Sequence, residues 1–193
     1  MNEEDIQKLS DEKLFSLIRE KNIDYLKFLM ERYENKLRRY IIRISGFGSE
    51  TADEVLQDTF LKVWKNMYEF SESMSFSSWI YRIAHNETIS TFRKLRSRGE
   101  QQKVELSEDL YILSDTDFLK DLDQEFSSQN IKKILQSLPK EYREILILYY
   151  FEEKKYEEIS DILKKPAGSV ATLLSRAKKS FRKSAERSGL SFV

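Results

Sequence analysis

The chain has 193 residues, with 33 lysine and arginine side chains against 33 aspartate and glutamate, one histidine and no cysteine. Without cysteine there is no disulfide, thiolate metal ligand or cysteine nucleophile, and we expect a reducing compartment. The single imidazole, His85, cannot build a histidine-rich metal site, and no Ser/His/Asp constellation is visible, so we expect neither an enzyme nor a cofactor.

No stretch of the sequence is typical of export or of a membrane span. The first residues lack the basic and apolar regions of a secretory signal. The longest apolar run, Ile145 to Phe151, has seven residues, far fewer than the roughly 20 that cross a bilayer. The sequence therefore predicts a cytoplasmic protein with no direct membrane insertion.

The first two predicted helices lie near the N-terminus. Ser10 is placed to N-cap a short helix that carries Leu14 and Ile18. Apolar residues then recur at steps of three and four from about Asp24, until glycines at 46 and 48 break the pattern. Both segments are typical of amphipathic helices.

Two further helices follow before residue 98. Thr51 and Glu54 are expected to form a capping box that opens the third helix. That helix is predicted to bury Leu56, Phe60, Val63, Trp64 and Met67 on one face. A polar break over residues 71–75 precedes a last helix from about Phe76 to Arg98, and four helices without strand alternation predict an all-α bundle.

The zero net charge conceals an uneven distribution along the chain. Residues 1–98 carry 17 basic and 16 acidic side chains, residues 99–130 carry 2 and 9, and residues 131–193 carry 14 and 8. The middle segment shows no long helical stripe, so it predicts a flexible acidic linker between two folded domains. A solvated spacer with no task of its own is the alternative for that segment.

After the linker the pattern predicts four more helices. A short helix from Ile131 stops at Pro139, which can begin the next one, over 140–151. Helices over 156–163 and 169–187 flank a Pro/Gly turn at residues 164–168, which is typical of a helix-turn-helix. The predicted fold class is therefore all-α, with two helical bundles joined by an acidic linker and a helix-turn-helix in the second.

The last helix combines an apolar stripe with a basic face suited to DNA. Its apolar residues are Val170, Leu173, Leu174, Ala177 and Phe181. Its cations are Arg176, Lys179, Lys183 and Arg187, with Lys178 and Arg182 beside them, as phosphate binding requires. The second helix of such a motif enters the major groove, where Ser169, Ala171, Thr172, Ser175 and Arg176 are candidate contacts. A merely solvated basic face is the alternative.

Two other surfaces are candidates for binding. The helix from Phe76 mixes aromatic residues with cations and an amide, which is typical of single-strand capture, although packing in the core is the alternative for the aromatic rings. Its members are Phe76, Trp79, Tyr81, Phe92, Arg82, Asn86, Arg93, Lys94, Arg96 and Arg98. The outer face of the third helix, with Asp53, Glu54, Gln57, Asp58 and Leu61, suits a basic protein partner, or is ordinary surface.

Four motifs in order resemble the group IV, extracytoplasmic-function, sigma factors of bacterial RNA polymerase, and the resemblance spans both domains. They are Asp53-Glu-Val-Leu-Gln-Asp-Thr-Phe-Leu-Lys-Val-Trp64, Phe76-Ser-Ser-Trp-Ile-Tyr-Arg-Ile-Ala-His-Asn86, Leu138-Pro-Lys-Glu-Tyr-Arg-Glu-Ile-Leu146 and Tyr156-Glu-Glu-Ile-Ser-Asp-Ile-Leu163. The resemblance implies a subunit that directs the core enzyme to specific promoters and promotes DNA melting. Since many relatives are held inactive by an anti-sigma factor, such a protein is a further candidate partner.

The family's functional regions carry over onto residues of this sequence. Region 2, residues 1–98, is implied to bind core polymerase through Asp53, Glu54, Gln57, Asp58 and Leu61. It is implied to read and melt the minus-ten element through Ser75, Phe76, Trp79, Arg82, Asn86 and Arg93. Region 4, residues 131–193, is implied to contact the minus-thirty-five element through Ser169, Ala171, Thr172, Ser175, Arg176 and Lys179. The linker, residues 99–130, would thread toward the active centre of the polymerase.

Two other classes of protein fit part of the pattern. A stand-alone helix-turn-helix regulator would use the N-terminal bundle for sensing or dimerisation, but that class does not require the acidic linker or the cation-aromatic helix. A helical adaptor with no DNA role would leave the basic C-terminal face without a partner.

Overall fold

A computed structural model describes residues 3–20, 23–71, 73–99 and 128–188. The chain divides into two compact units, residues 1–104 and 105–193. The nine acidic residues of the predicted linker all lie outside the described residues. Within the described ranges all regular structure is helical and no strand occurs, which confirms the predicted all-α class.

Unit 1 is built on three long helices that pack against one another. These are α3 (Leu26–Ser45), α4 (Ser49–Lys65) and α5 (Phe76–Ser97). Two shorter helices precede them, α1 (Glu3–Gln7) and α2 (Asp11–Glu20), and α2 packs on α3 and α5. Short 3-10 turns occupy Ile23–Tyr25 and Met67–Glu69.

The ends of these helices follow local chemistry. Ser10 Oγ accepts a hydrogen bond from the Lys13 amide at 3.3 Å, as predicted for an N-cap. Gly46 ends α3 with φ of 79°, a left-handed conformation that glycine adopts without strain. The predicted capping box at Thr51 is wrong, because α4 begins two residues earlier, after an extended Gly48, and the Thr51 side chain is buried.

Aromatic rings fill much of the core of unit 1. Phe15, Tyr40, Phe76 and Tyr81 are among its largest fully buried side chains. The prediction that Trp64 is buried is wrong, since 51% of its surface is exposed. The buried stripe of α4 runs through Val55, Leu56, Thr59, Phe60 and Val63. Trp64 follows Val63, and one step along a helix rotates the side chain by about 100°, away from the centre of this stripe.

Arg32 holds the N-terminal segment on α3, an arrangement that the sequence pattern did not predict. Its guanidinium donates to the carbonyl oxygens of Ile6 at 3.1 Å, Gln7 at 2.7 Å and Leu9 at 2.8 Å, and to Asp11 Oδ1 at 2.8 Å. The carbonyls at the end of α1 are thereby satisfied by one planar side chain.

Unit 2 is organised around its last helix. The helices are α6 (Ser128–Ser137), α7 (Lys140–Leu146), α8 (Tyr156–Leu163) and α9 (Ala167–Arg187), and α9 packs against the other three. Val170, Leu174, Ala177 and Phe181 are buried as predicted, while Leu173 is half-buried.

Three boundaries in unit 2 differ from the predicted ones. The first helix begins at Ser128, inside the segment predicted as linker. The predicted helix over 140–151 is α-helical only to Leu146 and continues as a π-helix over Ile147–Phe151. The turn of the helix-turn-helix is shorter than predicted, because a left-handed Lys164, with φ of 52°, lets α9 begin at Ala167.

Candidate protein and nucleic-acid interfaces

The outer side of α4 presents a strip of acidic, amide and apolar side chains. Glu54, Gln57, Asp58 and Leu61 are exposed, and their spacing of three and four residues places them on one side of the helix. They lie opposite the stripe that packs against the core of unit 1. The structure therefore brings together four of the five residues predicted here.

Trp64 extends this strip by one turn, and the sequence interpretation had assigned it to the core. Leu61 and Trp64 are each 51% exposed, and Tyr68, on the following 3-10 turn, is 70% exposed. Exposed tryptophan and tyrosine are enriched at protein interfaces. Trp64 lies four residues after the buried Phe60 and three after the exposed Leu61, so the spacing alone fits either side of the helix. We call Glu54, Gln57, Asp58, Leu61 and Trp64 the α4 face.

Asp53, the fifth predicted residue, lies at the border of the α4 face. It is half-buried, and its carboxylate accepts hydrogen bonds from Arg38 on α3, with Nε to Oδ1 at 2.6 Å. A groove of about 710 Å³ between α3 and α4 runs past this pair, with Met30, Leu56 and Phe60 in its walls. Asp53 therefore links two helices as well as lying beside the α4 face.

The first turn of α5 is fixed by Ser75. Its side-chain oxygen accepts from the Ser78 amide at 3.0 Å and lies 2.9 Å from Ser78 Oγ. Phe76 follows and is 0% exposed, packed against Phe15, Tyr33 and Phe70. Core packing leaves no face of the Phe76 ring accessible in this structure, which favours the core alternative for this residue over the predicted contact with DNA. Tyr81 is buried as well.

The other predicted residues of α5 share one outer stripe. Trp79, Arg82, Asn86 and Arg93 follow Ser75 at steps of four, three, four and seven residues, so they lie on the side opposite the core. Trp79 and Arg82 are half-buried, while Asn86 and Arg93 are exposed. We call these four residues, with Ser75, the α5 stripe.

Trp79 is held by aromatic neighbours on one side. Its ring centroid lies 5.1 Å from Phe70 and 5.8 Å from both Phe15 and Phe76. Tilted and edge-on contacts of this kind fix the orientation of a ring. A half-buried indole with a defined orientation offers a stacking surface at little further cost in side-chain entropy.

All six residues predicted on the second helix of the helix-turn-helix are exposed. These are Ser169, Ala171, Thr172, Ser175, Arg176 and Lys179. They occupy the first four turns of α9, and the exposed Arg182, Lys183 and Arg187 continue the basic surface toward its end. The described part of α9 carries its only acidic residue at Glu186, so the field along this surface is positive.

Neither a metal site nor a membrane span is found in the described ranges. No group of three or more histidine, aspartate or glutamate side chains there is arranged to hold a metal ion. No helix in these ranges is both long enough and apolar enough to cross a bilayer.

Both units match families of known proteins. Residues 29–98 match the family described as Sigma-70 region 2, and residues 128–181 match Sigma-70, region 4. The chain is 30% identical to the ECF RNA polymerase sigma factor SigW of Bacillus subtilis, over 80% of this chain and 86% of that protein. It is 26% identical to the ECF RNA polymerase sigma-E factor of Haemophilus influenzae, over 89% of this chain and 93% of that protein.

Two solved structures share the fold. One is the sigma factor RpoE in complex with the anti-sigma factor NepR from Bartonella quintana, with a TM-score of 0.62 and 24% identity over 83% of this chain and 96% of that one. The other is CnrH in complex with the cytosolic domain of CnrY, with a TM-score of 0.65 and 20% identity over 89% of this chain and 94% of that one.

Proposed function

We propose that the two units of this chain divide promoter recognition between them. The proposal follows from its family, since the chain belongs to the extracytoplasmic-function group of sigma-70 family sigma factors. The chain is an RNA polymerase sigma factor, which directs the core enzyme to promoters and is an initiation factor rather than a catalyst. The match to region 2 across most of unit 1 does not favour the stand-alone regulator. Residues 1–98 would act as region 2, and region 4 would begin at Ser128, where α6 starts.

The α4 face is the proposed binding site for core polymerase. It combines two carboxylates with an exposed leucine and an exposed tryptophan. Apolar anchors surrounded by polar groups are the usual composition of a protein interface. The carboxylates would attract a basic partner surface and increase the rate of encounter. Asp53 forms the border of this site, where its carboxylate is paired with Arg38 and joins α4 to α3.

The α5 stripe is the proposed reader of the minus-ten element. Arg82 and Arg93 supply charge for the backbone, Asn86 supplies an amide for base edges, and Trp79 supplies a ring for stacking. Stacking of an extruded base recovers part of the few kcal/mol that its unpairing costs. This distribution supports melting as well as recognition.

The exposed face of α9 is the proposed contact with the minus-thirty-five element. Ser169, Ala171 and Thr172 lie in its first turns, where a recognition helix meets base edges. Arg176 and Lys179 follow on the same side and would bind phosphates or guanine. The acidic segment between the units would thread toward the active centre of the polymerase, its charge resembling that of nucleic acid.

An anti-sigma factor is a further proposed partner. Two proteins with this fold have been solved in complexes, RpoE with the anti-sigma factor NepR and CnrH with the cytosolic domain of CnrY. A chain that works on RNA polymerase is expected in the cytoplasm. The proposal needs no cofactor.

A pair of substitutions tests the polymerase site. Asp58→Arg together with Leu61→Arg places two cations on the α4 face. We expect at least a hundredfold loss of affinity for purified core polymerase, measured by binding of the labelled chain. Glu20→Arg together with Ile23→Arg is the matched control, since it changes one exposed acidic and one exposed apolar residue elsewhere on unit 1. Unchanged affinity of the α4 variant would reject the assignment.

A further inference from the structure

Lys178 does not face outward with the other cations of α9. Its Nζ lies 5.4 Å from the centroid of the Tyr149 ring and 5.3 Å from that of Tyr150. The two rings meet edge to face, with centroids 4.8 Å apart and an angle of 89°. The ammonium group therefore sits in a corner formed by two aromatic rings. Both distances are within the roughly 6 Å over which a cation is attracted to a ring.

The π-helix supplies this corner. The Glu152 amide donates to the Ile147 carbonyl at 3.1 Å, across five residues rather than four. Tyr149 and Tyr150 lie within that turn, and π-helical turns occur frequently at functional sites. The Tyr149 ring also contacts Tyr156 at the start of α8, with centroids 5.7 Å apart. Lys178 thus joins α9 to the π-helix and, through Tyr149, to the first helix of the helix-turn-helix.

The surroundings of Lys178 differ from those of its neighbours on α9. Lys178 is half-buried, whereas Arg176 and Lys179 are exposed. Partial burial, assisted by the nearby charge of Arg182, lowers the pKa of Lys178. A phosphate contact would require the ammonium group to leave two rings for solvent, whereas Lys179 reaches solvent directly.

We propose that Lys178 is a positioning residue, which sets the orientation of the recognition helix by its contact with Tyr149 and Tyr150 and makes no contact with DNA. This inference rests on the proposed binding of promoter DNA by α9. It gives Lys178 a role different from that of Arg176 and Lys179, although all three belong to the basic surface that the sequence predicts for DNA on this helix.

The salt dependence of DNA binding distinguishes the two roles. The probe is a labelled 30-base-pair duplex selected by the wild-type full-length chain from a randomised pool, and affinity is measured between 50 and 200 mM KCl. Log affinity falls linearly with log salt, and each phosphate contact makes this slope steeper by about 0.9. Lys179→Met should therefore make the slope shallower by about 0.9. Lys178→Met should lower affinity at least fivefold at every salt concentration and leave the slope unchanged.

Two further variants keep the test independent of folding. Lys178→Arg retains a cation over the rings and should restore affinity to within twofold of wild type. Tyr149→Leu retains the ammonium group but removes one ring. It should therefore lower affinity by a similar factor at every salt concentration, as Lys178→Met does. Lys178→Met and Tyr149→Leu break the same contact. The variant that combines them should therefore bind DNA with no lower affinity than whichever single variant binds more weakly. Circular dichroism at the assay temperature verifies that each variant is folded.

Three results would overturn the inference. If Lys178→Met makes the salt slope as shallow as Lys179→Met does, Lys178 is a phosphate contact. Wild-type affinity in a folded Lys178→Met variant would show that the contact of Lys178 with the two rings does not affect DNA binding. Binding of the wild-type chain that does not respond to salt would reject the proposed DNA role of α9, and this inference with it. The third result is recognised in the wild-type chain alone, so the two failures are distinguishable.

Discussion

Arg38 Nε donates a hydrogen bond to Asp53 Oδ1 at 2.6 Å and joins α3 to α4 at the border of the α4 face. The Asp53 carboxylate is therefore already engaged within unit 1, whereas Glu54 and Asp58 project from the helix. The negative charge that we propose for attraction of core polymerase falls chiefly on these two side chains.

This relationship predicts unequal effects of two similar substitutions. Asp58→Asn should lower affinity for core polymerase by about threefold to tenfold, in the range of roughly 1 kcal/mol for one polar contact. Asp53→Asn should change affinity less than twofold and cost less than about 1 kcal/mol of unfolding free energy, because partly exposed ion pairs contribute little. Binding titrations and denaturation in urea measure both. A larger binding defect for Asp53→Asn would contradict the proposal.

Trp64→Ala should separate binding from folding. We expect at least a tenfold loss of affinity for core polymerase, about 1.4 kcal/mol, because exposed tryptophan often anchors an interface. The free energy of unfolding should change by less than about 0.5 kcal/mol, as for most surface substitutions. Met67→Ala is the contrasting control, since Met67 is buried and its truncation should cost about 2–5 kcal/mol. Wild-type affinity of Trp64→Ala would remove this residue from the site.

Phe76→Ala should act through stability. Phe76 is fully buried among other rings, and its truncation is expected to lower the unfolding free energy by about 3–5 kcal/mol. Trp79→Leu should cost less in urea denaturation and yet reduce promoter opening, monitored with permanganate on a promoter template. Loss of opening by Phe76→Leu, in a chain with wild-type stability, would restore Phe76 as a DNA contact.

Ser75→Ala removes the N-cap of α5 and should cost about 1 kcal/mol of unfolding free energy. Ser75→Asp keeps an oxygen acceptor for the Ser78 amide and should retain most of the stability. Thermal or urea denaturation compares the two variants. Equal losses in both would indicate that the hydroxyl acts in some way other than as a cap.

Stability should fall at alkaline pH through Tyr33. Burial raises the pKa of Tyr33 well above its ordinary value of 10.0, and the hydrogen bond to Asp11 adds to this effect. Below pH 10 the Tyr33 hydroxyl is neutral in both the folded and the unfolded chain, so it costs no stability. Above pH 10 it ionises in the unfolded chain but stays neutral in the folded one, and the free energy of unfolding falls. Between pH 9 and 11 wild type should lose about 1.4 kcal/mol more than Tyr33→Phe. Equal losses in urea denaturation would contradict this.

The sequence pattern predicted the helices of both units except the short α1, because apolar residues at steps of three and four mark a helix whatever it packs against. It failed where tertiary packing decides. Trp64 and Phe76 are both aromatic residues in amphipathic helices, and only the direction of the core distinguishes an exposed anchor from a buried ring. The Lys178 contact was also not predictable, because it depends on a π-helical turn that no local pattern marks.

Transcription with purified core polymerase tests the central claim most directly. Core enzyme from a bacterium that carries this protein is mixed with a promoter library, with and without the chain, and run-off products are sequenced. We expect initiation at a discrete set of promoters only when the chain is present, with the Asp58→Arg and Leu61→Arg double variant inactive. Absence of initiation, together with failure to co-elute with core polymerase, would contradict the assignment as a sigma factor.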